Sequence, residues 1–278
     1  MTTPTPGPPA PHVPPTPHVP PAPHVPPASC ARPGPCAPLA VVTGGTRGIG
    51  LALSRRLVRL GYRTVALYRH DTQAAHRAAT AHHLDVIRAD VADANALRTA
   101  AHRILTEHGT PRVLVNNAGI NIDRPFLELS VSDWQRVLDT NLSAPFHLTQ
   151  ALAPAMLAAG AGTVVNIGAT TGIRPRANGA NYSAAKAGLL HLTKCLALEL
   201  APAIRVNCLI PGMTETDELT TRYRLDHPQH RAAVLSEIPQ RRIARTDDIA
   251  DALEYLVGPL SSYVTGQKLI VDGGQFMW

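Results

Sequence analysis

Tyr182 and Lys186 form the part of the sequence that is best suited to proton chemistry. They stand four residues apart in YSAAK, so on a helix the phenol and the ammonium group lie on one face. The pKa of a free phenol is about 10, which is too high for efficient proton transfer near neutrality. A neighbouring ammonium group stabilises the phenolate and lowers that pKa. The pair is therefore a candidate acid–base site.

A second candidate site is the glycine-rich run VVTGGTRGIGLAL, which follows a strand-like segment and leads into a helical one. Gly44, Gly48 and Gly50 have the spacing GxxxGxG rather than GxGxxG. Glycines let a backbone approach a pyrophosphate, and a helix N-terminus offers free N–H groups and partial positive charge. The run predicts a dinucleotide-binding loop.

The residues after the second strand-like segment bear on the choice of dinucleotide. An acidic residue about 20 positions beyond the loop would hold the ribose 2′-hydroxyl of NAD. The chain has Arg69 at that place, nineteen residues after Gly50, and Arg47 inside the loop. Because a guanidinium presents a fork of donors to phosphate oxygens, two arginines favour the 2′-phosphate of NADP. Asp71 follows closely, and Arg69 as an ordinary exposed arginine is the alternative.

Short apolar runs alternate with helical patterns from Pro38 onwards, which is typical of a parallel sheet with helices on both faces. The predicted fold is α/β, a doubly wound (Rossmann-type) parallel sheet of about seven strands. It forms a single domain over residues 38–278, with a short helical lid between Met213 and Arg245. The predicted strands are 39–43, 63–68, 85–90, 112–119, 162–168, 204–212 and 267–274. The predicted helices are 49–61, an Ala/His-rich helix after 68, and 94–109, 131–158 and 181–201.

Residues 1–37 differ in composition from the rest of the chain. From Pro11 to Ala28 the sequence repeats PHVPPT or PHVPPA, and residues 1–37 include no acidic residue. Dense proline favours polyproline II, which would space the three repeat histidines too widely for one metal ion to contact two of them. We interpret this segment as a disordered spacer, with a docking arm for a partner as the alternative.

The composition argues against several classes of function. The formal charge of +6 is spread over 26 Lys and Arg residues without a block of five basic residues, so we expect no nucleic-acid binding. No apolar run is long enough to span a membrane, so we expect no membrane association. The four cysteines lack CxxC or metal-ligand spacing. We therefore expect a cytoplasmic protein with neither a disulfide nor a metal.

Five segments in order resemble motifs of the short-chain dehydrogenase/reductase family, and the similarity runs from Leu39 to Gly274. The segments are TGGTRGIG (43–50), NNAG (116–119), DTNLSAPF (139–146), YSAAK (182–186) and PGMTET (211–216). Residues 238–274 are very like the last third of the 3-oxoacyl-(acyl-carrier-protein) reductases. The resemblance implies an NADP-dependent ketoreductase, acting on a 3-oxoacyl thioester or a polyketide-type carbonyl.

The resemblance also implies roles for individual residues. Tyr182 would protonate the carbonyl oxygen as hydride arrives from the nicotinamide. Lys186 would bind the nicotinamide ribose, and Asn141 would hold a water at the end of a proton relay. The implied cofactor contacts are Gly44, Thr46, Arg47, Gly48, Ile49, Gly50, Arg69, Asp90, Val91, Asn117, Ala118, Gly119, Tyr182, Lys186, Pro211, Gly212, Met213 and Thr216.

Ala169 departs from the family pattern, because that position carries a serine whose hydroxyl donates to the substrate carbonyl. Losing one such donor typically costs about 10²–10³ in rate. Thr170 follows where the strand is ending, so a shift of one residue would aim its hydroxyl inward. Thr170 is the predicted substitute, and Thr171 or a water is the alternative. A slow enzyme of altered reaction and a cofactor-binding protein without turnover also stay open.

A second departure concerns the partner. Carrier-protein reductases place basic residues before the fifth and sixth strands, where this chain reads MLAAGAGT (156–163) and LAPAIRV (200–206). An acidic acyl carrier protein would lose electrostatic steering there. Lid arginines are candidate replacements: Arg222, Arg224, Arg231, Arg241 and Arg242. Acyl carrier protein stays an expected partner beside a CoA-linked or free ketone. The resemblance implies a homo-oligomer, a tetramer or dimer, formed through the two long helices and the last strand.

Overall fold

The computed structural model describes Gly34 and residues 36–277 of the chain. The predicted proline-rich tail lies almost wholly outside the described residues. The strands are β1 (Leu39–Thr43), β2 (Arg63–Tyr68), β3 (Asp85–Arg88), β4 (Pro111–Asn116), β5 (Gly162–Ile167), β6 (Ile204–Pro211) and β7 (Lys268–Val271). The helices are α1 (Gly48–Arg59), α2 (Thr72–His82), α3 (Ala94–Arg103), α4 (Val131–Leu138), α5 (Ala144–Ala158), α6 (Ala180–Leu200), α7 (Asp217–Tyr223), α8 (Pro228–Glu237) and α9 (Thr246–Val257).

The seven strands form one sheet in the order β3-β2-β1-β4-β5-β6-β7, and every neighbouring pair is parallel. The prediction of a doubly wound parallel sheet with seven strands is therefore confirmed. The strand order reverses between β1 and β4, and in such sheets ligands bind in the crevice beyond the carboxyl ends of the strands at this reversal.

Successive residues of a strand point to opposite sides of the sheet. Because the strands carry apolar residues on both sides, helices cover both faces of the sheet. Val41 belongs to the core cluster formed with α3, α5 and α6, whereas Val42 belongs to the cluster formed with α1 and α9. All five residues of β1 are buried, as are all six of β5. This two-sided burial accounts for the near-continuous apolar character of the strands.

Three helical predictions need correction. The helix predicted at 94–109 changes to a π-helical turn after Arg103, and the one predicted at 131–158 is interrupted by a π-helical turn at Asp139–Ser143. Pro145 has no N–H for the carbonyl four residues before it, which weakens the α-helical pattern at this turn. The helix α9 is also absent from the predicted elements.

The predicted lid consists of α7 and α8, between β6 and α9. It has its own apolar cluster of Leu225, Ile238 and Ile243, with Met213 and Leu235 packed against them. In the part of the chain that the structure describes, no helix is both long and apolar enough to cross a membrane.

Candidate active site

The loop between β1 and α1 has the backbone geometry of a phosphate site. Gly44 and Gly48 have φ angles of +64° and +51°, in the left-handed region that favours glycine. A Cβ on Gly50 would lie 2.1 Å from the Gly44 carbonyl oxygen, so a side chain cannot fit there. The first turn of α1 contains no acidic residue, so its free N–H groups are available to an anion. These residues fit a pyrophosphate.

Thr43, which the sequence reading did not single out, holds the NNAG segment against this loop. Its hydroxyl accepts hydrogen bonds from the backbone N–H groups of Asn117 and Ala118, both at 2.9 Å. The Asn117 side chain donates in turn to the carbonyl oxygens of Thr43 (2.8 Å) and Gly44 (3.3 Å). The ends of β1 and β4 are thus linked at the strand-order reversal. A threonine directly before the glycine-rich run was the available signal.

The end of β2 carries the residues expected to choose the dinucleotide. Asp71 caps α2 by accepting the backbone N–H of Ala74 at 2.8 Å, so its carboxylate already has a structural partner. Arg69 lies 3.8 Å from Asp90. Arg88, missed in the sequence reading, donates from Nε to the Arg69 carbonyl oxygen at 3.1 Å. Two arginines, Arg69 and Arg88, therefore lie at this corner of the site. The Asp71 carboxylate is bonded to the backbone of α2 and does not pair with either of them.

Tyr182 and Lys186 lie on α6, in its first two turns, as the spacing predicted. The Lys186 ammonium is 5.6 Å from the centroid of the Tyr182 ring and donates to the Ile167 carbonyl oxygen at 2.7 Å. Burial lowers the pKa of Lys186 to about 8, an effect that the neighbouring Cys208 thiol partly offsets. Lys186 is thus a buried cation held by a backbone carbonyl.

The pKa of Tyr182 moves in the direction opposite to the expected one. Burial, and next the charge of Glu218, raise it to about 12, although the residue keeps partial exposure at the cleft. Desolvation of the phenolate outweighs the charges of Arg222 and Arg176, which lower the pKa, while the Lys186 ammonium group faces the ring and is bonded to a carbonyl. Tyr182 therefore keeps its proton near neutrality and is set up as a proton donor.

Asn141 lies fully buried in the π-helical turn between α4 and α5. Its Nδ2 donates to the carbonyl oxygens of Ile120 and Val137, each at 2.9 Å. Its Oδ1 is buried without a partner in the described part of the chain and would lie 2.8 Å from a Cβ on Gly119. Gly119 therefore leaves room for this amide, and π-helical turns of this kind are frequent at functional sites.

The segment around the missing serine leaves the sheet immediately after β5. Ala169 is extended (φ −155°, ψ 152°) and precedes a short 3₁₀ turn, Thr170–Gly172. A Cβ on Gly172 would lie 2.7 Å from the backbone carbonyl carbon of Lys186, so the turn abuts α6. Strand alternation has therefore ended before Thr170, in agreement with the prediction.

The two threonine hydroxyls of this turn are in different surroundings. Among the described residues neither hydroxyl has a hydrogen-bond partner, and the Oγ1 of Thr171 is also buried. The Thr170 side chain is half-buried. A hydroxyl without an internal partner, in a turn packed against α6 at Lys186, is free to bond a substrate oxygen.

The segment after β6 closes the opposite side of the crevice. A Cβ on Gly212 would lie 2.5 Å from the Cβ of Asp272, which leaves room only for glycine. Thr216 caps α7 by accepting the backbone N–H of Leu219 at 3.2 Å. Its methyl carbon is 3.5 Å from where a Cβ on Gly48 would lie. The lid therefore starts in contact with the phosphate loop.

All of the residues predicted to contact the cofactor follow the carboxyl ends of parallel strands or lie on α6, at one edge of the sheet. They are Gly44, Thr46, Arg47, Gly48, Ile49 and Gly50 after β1, Arg69 after β2, Asp90 and Val91 after β3, Asn117, Ala118 and Gly119 after β4, Pro211, Gly212, Met213 and Thr216 at and after the end of β6, and Tyr182 and Lys186 on α6. No group of three or more His, Cys, Asp or Glu residues within the described part could hold a metal ion.

A sequence model whose description is "Enoyl-(Acyl carrier protein) reductase" matches residues 44–275. The chain belongs to the short-chain dehydrogenase/reductase family. It is 35% identical over 244 residues to the 3-oxoacyl-[acyl-carrier-protein] reductase FabG of Salmonella typhimurium, covering 86% of this chain and 97% of that protein. It is 37% identical over 249 residues to the acetoacetyl-CoA reductase of Allochromatium vinosum, covering 87% and 99%.

A solved structure agrees with the fold. The crystal structure of a candidate gluconate dehydrogenase from Agrobacterium tumefaciens superposes with a TM-score of 0.81 at 33% identity, covering 86% of this chain and 95% of that one. The family prediction is confirmed, and the chain is an oxidoreductase of the short-chain dehydrogenase/reductase family.

Proposed function

We propose that the protein reduces a ketone to a hydroxyl with NADPH, and that the ketone is a 3-oxoacyl thioester or a polyketide-type carbonyl. The observation that carries the proposal is the Tyr182–Lys186 pair on α6, in which Lys186 is bonded to the end of β5 and the Tyr182 phenol is within reach of the charges of lid residues Glu218 and Arg222. The names of the relatives agree with it, since one is a 3-oxoacyl reductase and another an acetoacetyl-CoA reductase.

NADP is favoured over NAD by the charges at the end of β2. Arg47 is exposed at the N-terminus of α1, and Arg69 is joined by Arg88 through a bond to its backbone. The carboxylate of Asp71 is taken up in capping α2 and is a poor candidate for the ribose hydroxyls of NAD. Arginine forks beside a helix N-terminus suit a 2′-phosphate.

The proposed chemistry assigns the proton to Tyr182, whose raised pKa keeps the phenol protonated and able to donate to the carbonyl oxygen. The nicotinamide, when bound, supplies the hydride. Lys186, whose pKa burial lowers to about 8, binds the ribose hydroxyls and passes a proton to the phenolate. Asn141 fixes the backbone at the far end of the proton path through its bonds to two carbonyls.

Thr170 takes over the task of the serine replaced by Ala169. Its hydroxyl has no partner among the described residues and lies one residue past the serine position, in a turn packed against α6. A hydrogen bond from this hydroxyl to the substrate carbonyl would stabilise the charge that develops there. A cofactor-binding protein without turnover is not favoured, because Tyr182, Lys186 and Asn141 are all present at the crevice.

Delivery by an acyl carrier protein has weak electrostatic support. Arg222 bonds Glu218 at 2.8 Å, Arg231 lies 3.3 Å from Glu215, and Arg242 lies 2.6 Å from Asp248. The remaining two lid arginines bond His227 and the backbone of Ser236. Since these cations are mostly paired already, we propose a CoA-linked or free ketone as the better substrate, with the carrier-bound form also accepted.

We also propose a homo-oligomer built through the faces of α5 and α6 and the β7 side. Leu198 on α6 is 83% exposed, and Leu260 and Tyr263, between α9 and β7, are 84% and 101% exposed. Phe146 and Leu157 on α5 are exposed as well. Exposed apolar side chains on these elements agree with subunit contacts, which often cover such residues. Light scattering on the purified chain would decide between a monomer and an oligomer.

The test of the reductase proposal is NADPH oxidation with 3-oxoacyl-CoA, the matching carrier-linked thioesters and cyclic ketones. Thr170→Val should lower kcat by about 10²–10³ without changing the Kd for NADPH, since the hydroxyl contacts substrate only. Ala169→Ser in that background should restore much of the rate. A Thr170→Val variant as fast as the parent would refute the role of Thr170. Tight NADPH binding without consumption, in the parent and in Ala169→Ser, would refute the reductase itself.

A further inference from the structure

An ion pair joins the two loops that flank the candidate active site. The Arg176 guanidinium bonds both carboxylate oxygens of Asp123, at 2.8 and 2.7 Å, and the side-chain oxygen of Asn121 at 2.9 Å. Both side chains of the ion pair are largely buried, with 26% and 30% of their surface exposed. Two-pronged bonds of this kind fix orientation as well as distance. Asp123 follows β4, whereas Arg176 lies just before α6.

The same two loops are joined by further hydrogen bonds. The backbone N–H of Arg124 donates to the Asn178 carbonyl oxygen, and Nδ2 of the buried Asn181 donates to the Ile122 carbonyl oxygen, each at 2.9 Å. The Oδ1 of Asn181 accepts the backbone N–H of Tyr182 at 2.8 Å. The loop after β4 is therefore bonded directly to Asn181, the residue that precedes the catalytic tyrosine, Tyr182.

At its other end the loop after β4 is bonded to Asn141, which donates to the Ile120 carbonyl oxygen. Residues 120–124 thus connect Asn141 to Tyr182, and the Arg176–Asp123 pair is the outermost link in that connection. Gly179, the residue before α6, leaves space for the Arg176 side chain, because a Cβ at position 179 would lie only 3.2 Å from it. The chain accordingly has little room to vary at this point.

A second arginine provides an internal comparison. Arg222, on α7 of the lid, is paired with Glu218 one helical turn away and has a side-chain exposure of 28%, close to that of Arg176. The charges of Arg176 and Arg222 both act on the Tyr182 phenol. Only Arg176, however, bonds residues of a different segment. Electrostatic and positional effects can therefore be separated by comparing the two arginines.

We propose that Arg176 and Asp123 are positioning residues of the reductase, which hold residues 120–124 against the start of α6 and so fix Tyr182 relative to Asn141. The inference rests on the proposed reduction of a ketone. The pair acts through the loop and touches neither hydride nor proton. Without it, the shared bonds at Asn181 and Asn178 would carry the connection alone.

Arg176→Met should lower kcat by about tenfold to a hundredfold, because a displacement of about 1 Å at a reacting group can cost about 10²-fold. The KM for the ketone and the Kd for NADPH should change by less than about threefold. Asp123→Asn should lower kcat to a similar extent. The double variant should be no slower than either single variant, since both substitutions remove the same link. Arg176→Lys should recover part of the rate, as a single-pronged cation.

Arg222→Met is the matched control, since it removes an equal charge near Tyr182 without breaking a link between segments. With a CoA-linked or free ketone, which needs no carrier docking, its kcat should stay within about threefold of the parent. An equal loss in Arg222→Met and Arg176→Met, or additive losses in the double variant, would overturn the positioning role in favour of an electrostatic or substrate-binding one. An effect of Arg176→Met that is confined to KM would also overturn the positioning role.

Hydrogen exchange gives a readout that is independent of turnover. In Arg176→Met the amides of residues 120–124 and 178–182 should exchange faster than in the parent, while in Arg222→Met they should not. If the parent turns over no ketone, the proposed function fails, and exchange still decides whether the pair holds the loops together. Unchanged exchange in Arg176→Met would overturn the proposal whatever the activity.

Discussion

Replacing Lys186 by methionine should change how the stability of the protein depends on pH. Lys186 is 3% exposed, and its ammonium donates to the Ile167 carbonyl oxygen at 2.7 Å. No carboxylate pairs with it in the part of the chain that the structure describes. A buried ammonium without a counter-charge is disfavoured relative to the neutral amine, so burial lowers its pKa from 10.5 to about 8.

The sign of the effect follows from proton binding. Between pH 8 and 10.5 the unfolded chain holds a proton on this lysine that the folded chain has released, so the free energy of unfolding rises with pH. At about 1.4 kcal/mol for each pH unit, the full contribution is about 3 kcal/mol, of which about 2 kcal/mol is reached by pH 9.5. This stability is present above pH 10.5 and is lost as the pH falls through 8.

Urea unfolding of the parent and of Lys186→Met between pH 7 and 9.5 would measure the effect as a difference, because the opposing contribution of Cys208, whose pKa burial raises to about 12, is present in both proteins. Tyr182, whose pKa is also raised to about 12, opposes the effect only above about pH 10. Over this range the parent should gain about 2 kcal/mol relative to Lys186→Met. Lys194→Met, at an exposed position of the same helix, should follow the parent at every pH. A constant difference between the parent and Lys186→Met would refute the reasoning.

Three further changes test the site. Arg69→Asp should weaken NADPH binding by at least about tenfold and leave NADH nearly unaffected, as only NADPH has a phosphate to repel; equal effects in fluorescence titration would remove Arg69 from the ribose. Tyr182→Phe should lower kcat by about 10³-fold or more with unchanged NADPH affinity, and residual turnover near the parent's would identify another proton donor. Gly50→Ala, whose Cβ would lie 2.1 Å from the Gly44 carbonyl oxygen, should abolish binding of both cofactors, and calorimetry showing normal binding would contradict the loop geometry.

The strands were predictable because local composition and tertiary burial agree there. The bounds of β1 and β2 match the prediction at every residue, since both are apolar runs enclosed on two faces. The helix α9 was not identified as an element, although Ile249 and Leu253 lie four residues apart on one buried face. The π-helical turn at Asp139–Ser143 depends on packing around Asn141 and on Pro145, and helical periodicity does not reveal it.

The same distinction, between local sequence patterns and contacts formed only in the folded chain, separates the site residues. Gly44, Gly48 and Gly50 were predicted because a short motif carries their whole geometric requirement. Thr43 and Arg176 were not, because their partners lie 74 and 53 residues away in the chain, at Asn117 and Asp123. A single sequence gives no sign of pairings at such separations. The pKa of Tyr182 was predicted in the wrong direction for a related reason, since burial depends on the folded surroundings.

The turn that follows Ala169 limits which group can take the place of the family's serine hydroxyl. The turn cannot slide to bring a hydroxyl into the old position, because Gly172 already touches the backbone of α6 at Lys186 and Ala169 is fully extended. A new donor must therefore come from rotation of a threonine side chain about χ1 rather than from movement of the backbone. The Thr171 hydroxyl is enclosed, whereas Thr170 is half-buried and begins the turn. Under the proposed function, Thr170 is thus the better candidate of the two threonines for the hydrogen bond to the substrate carbonyl.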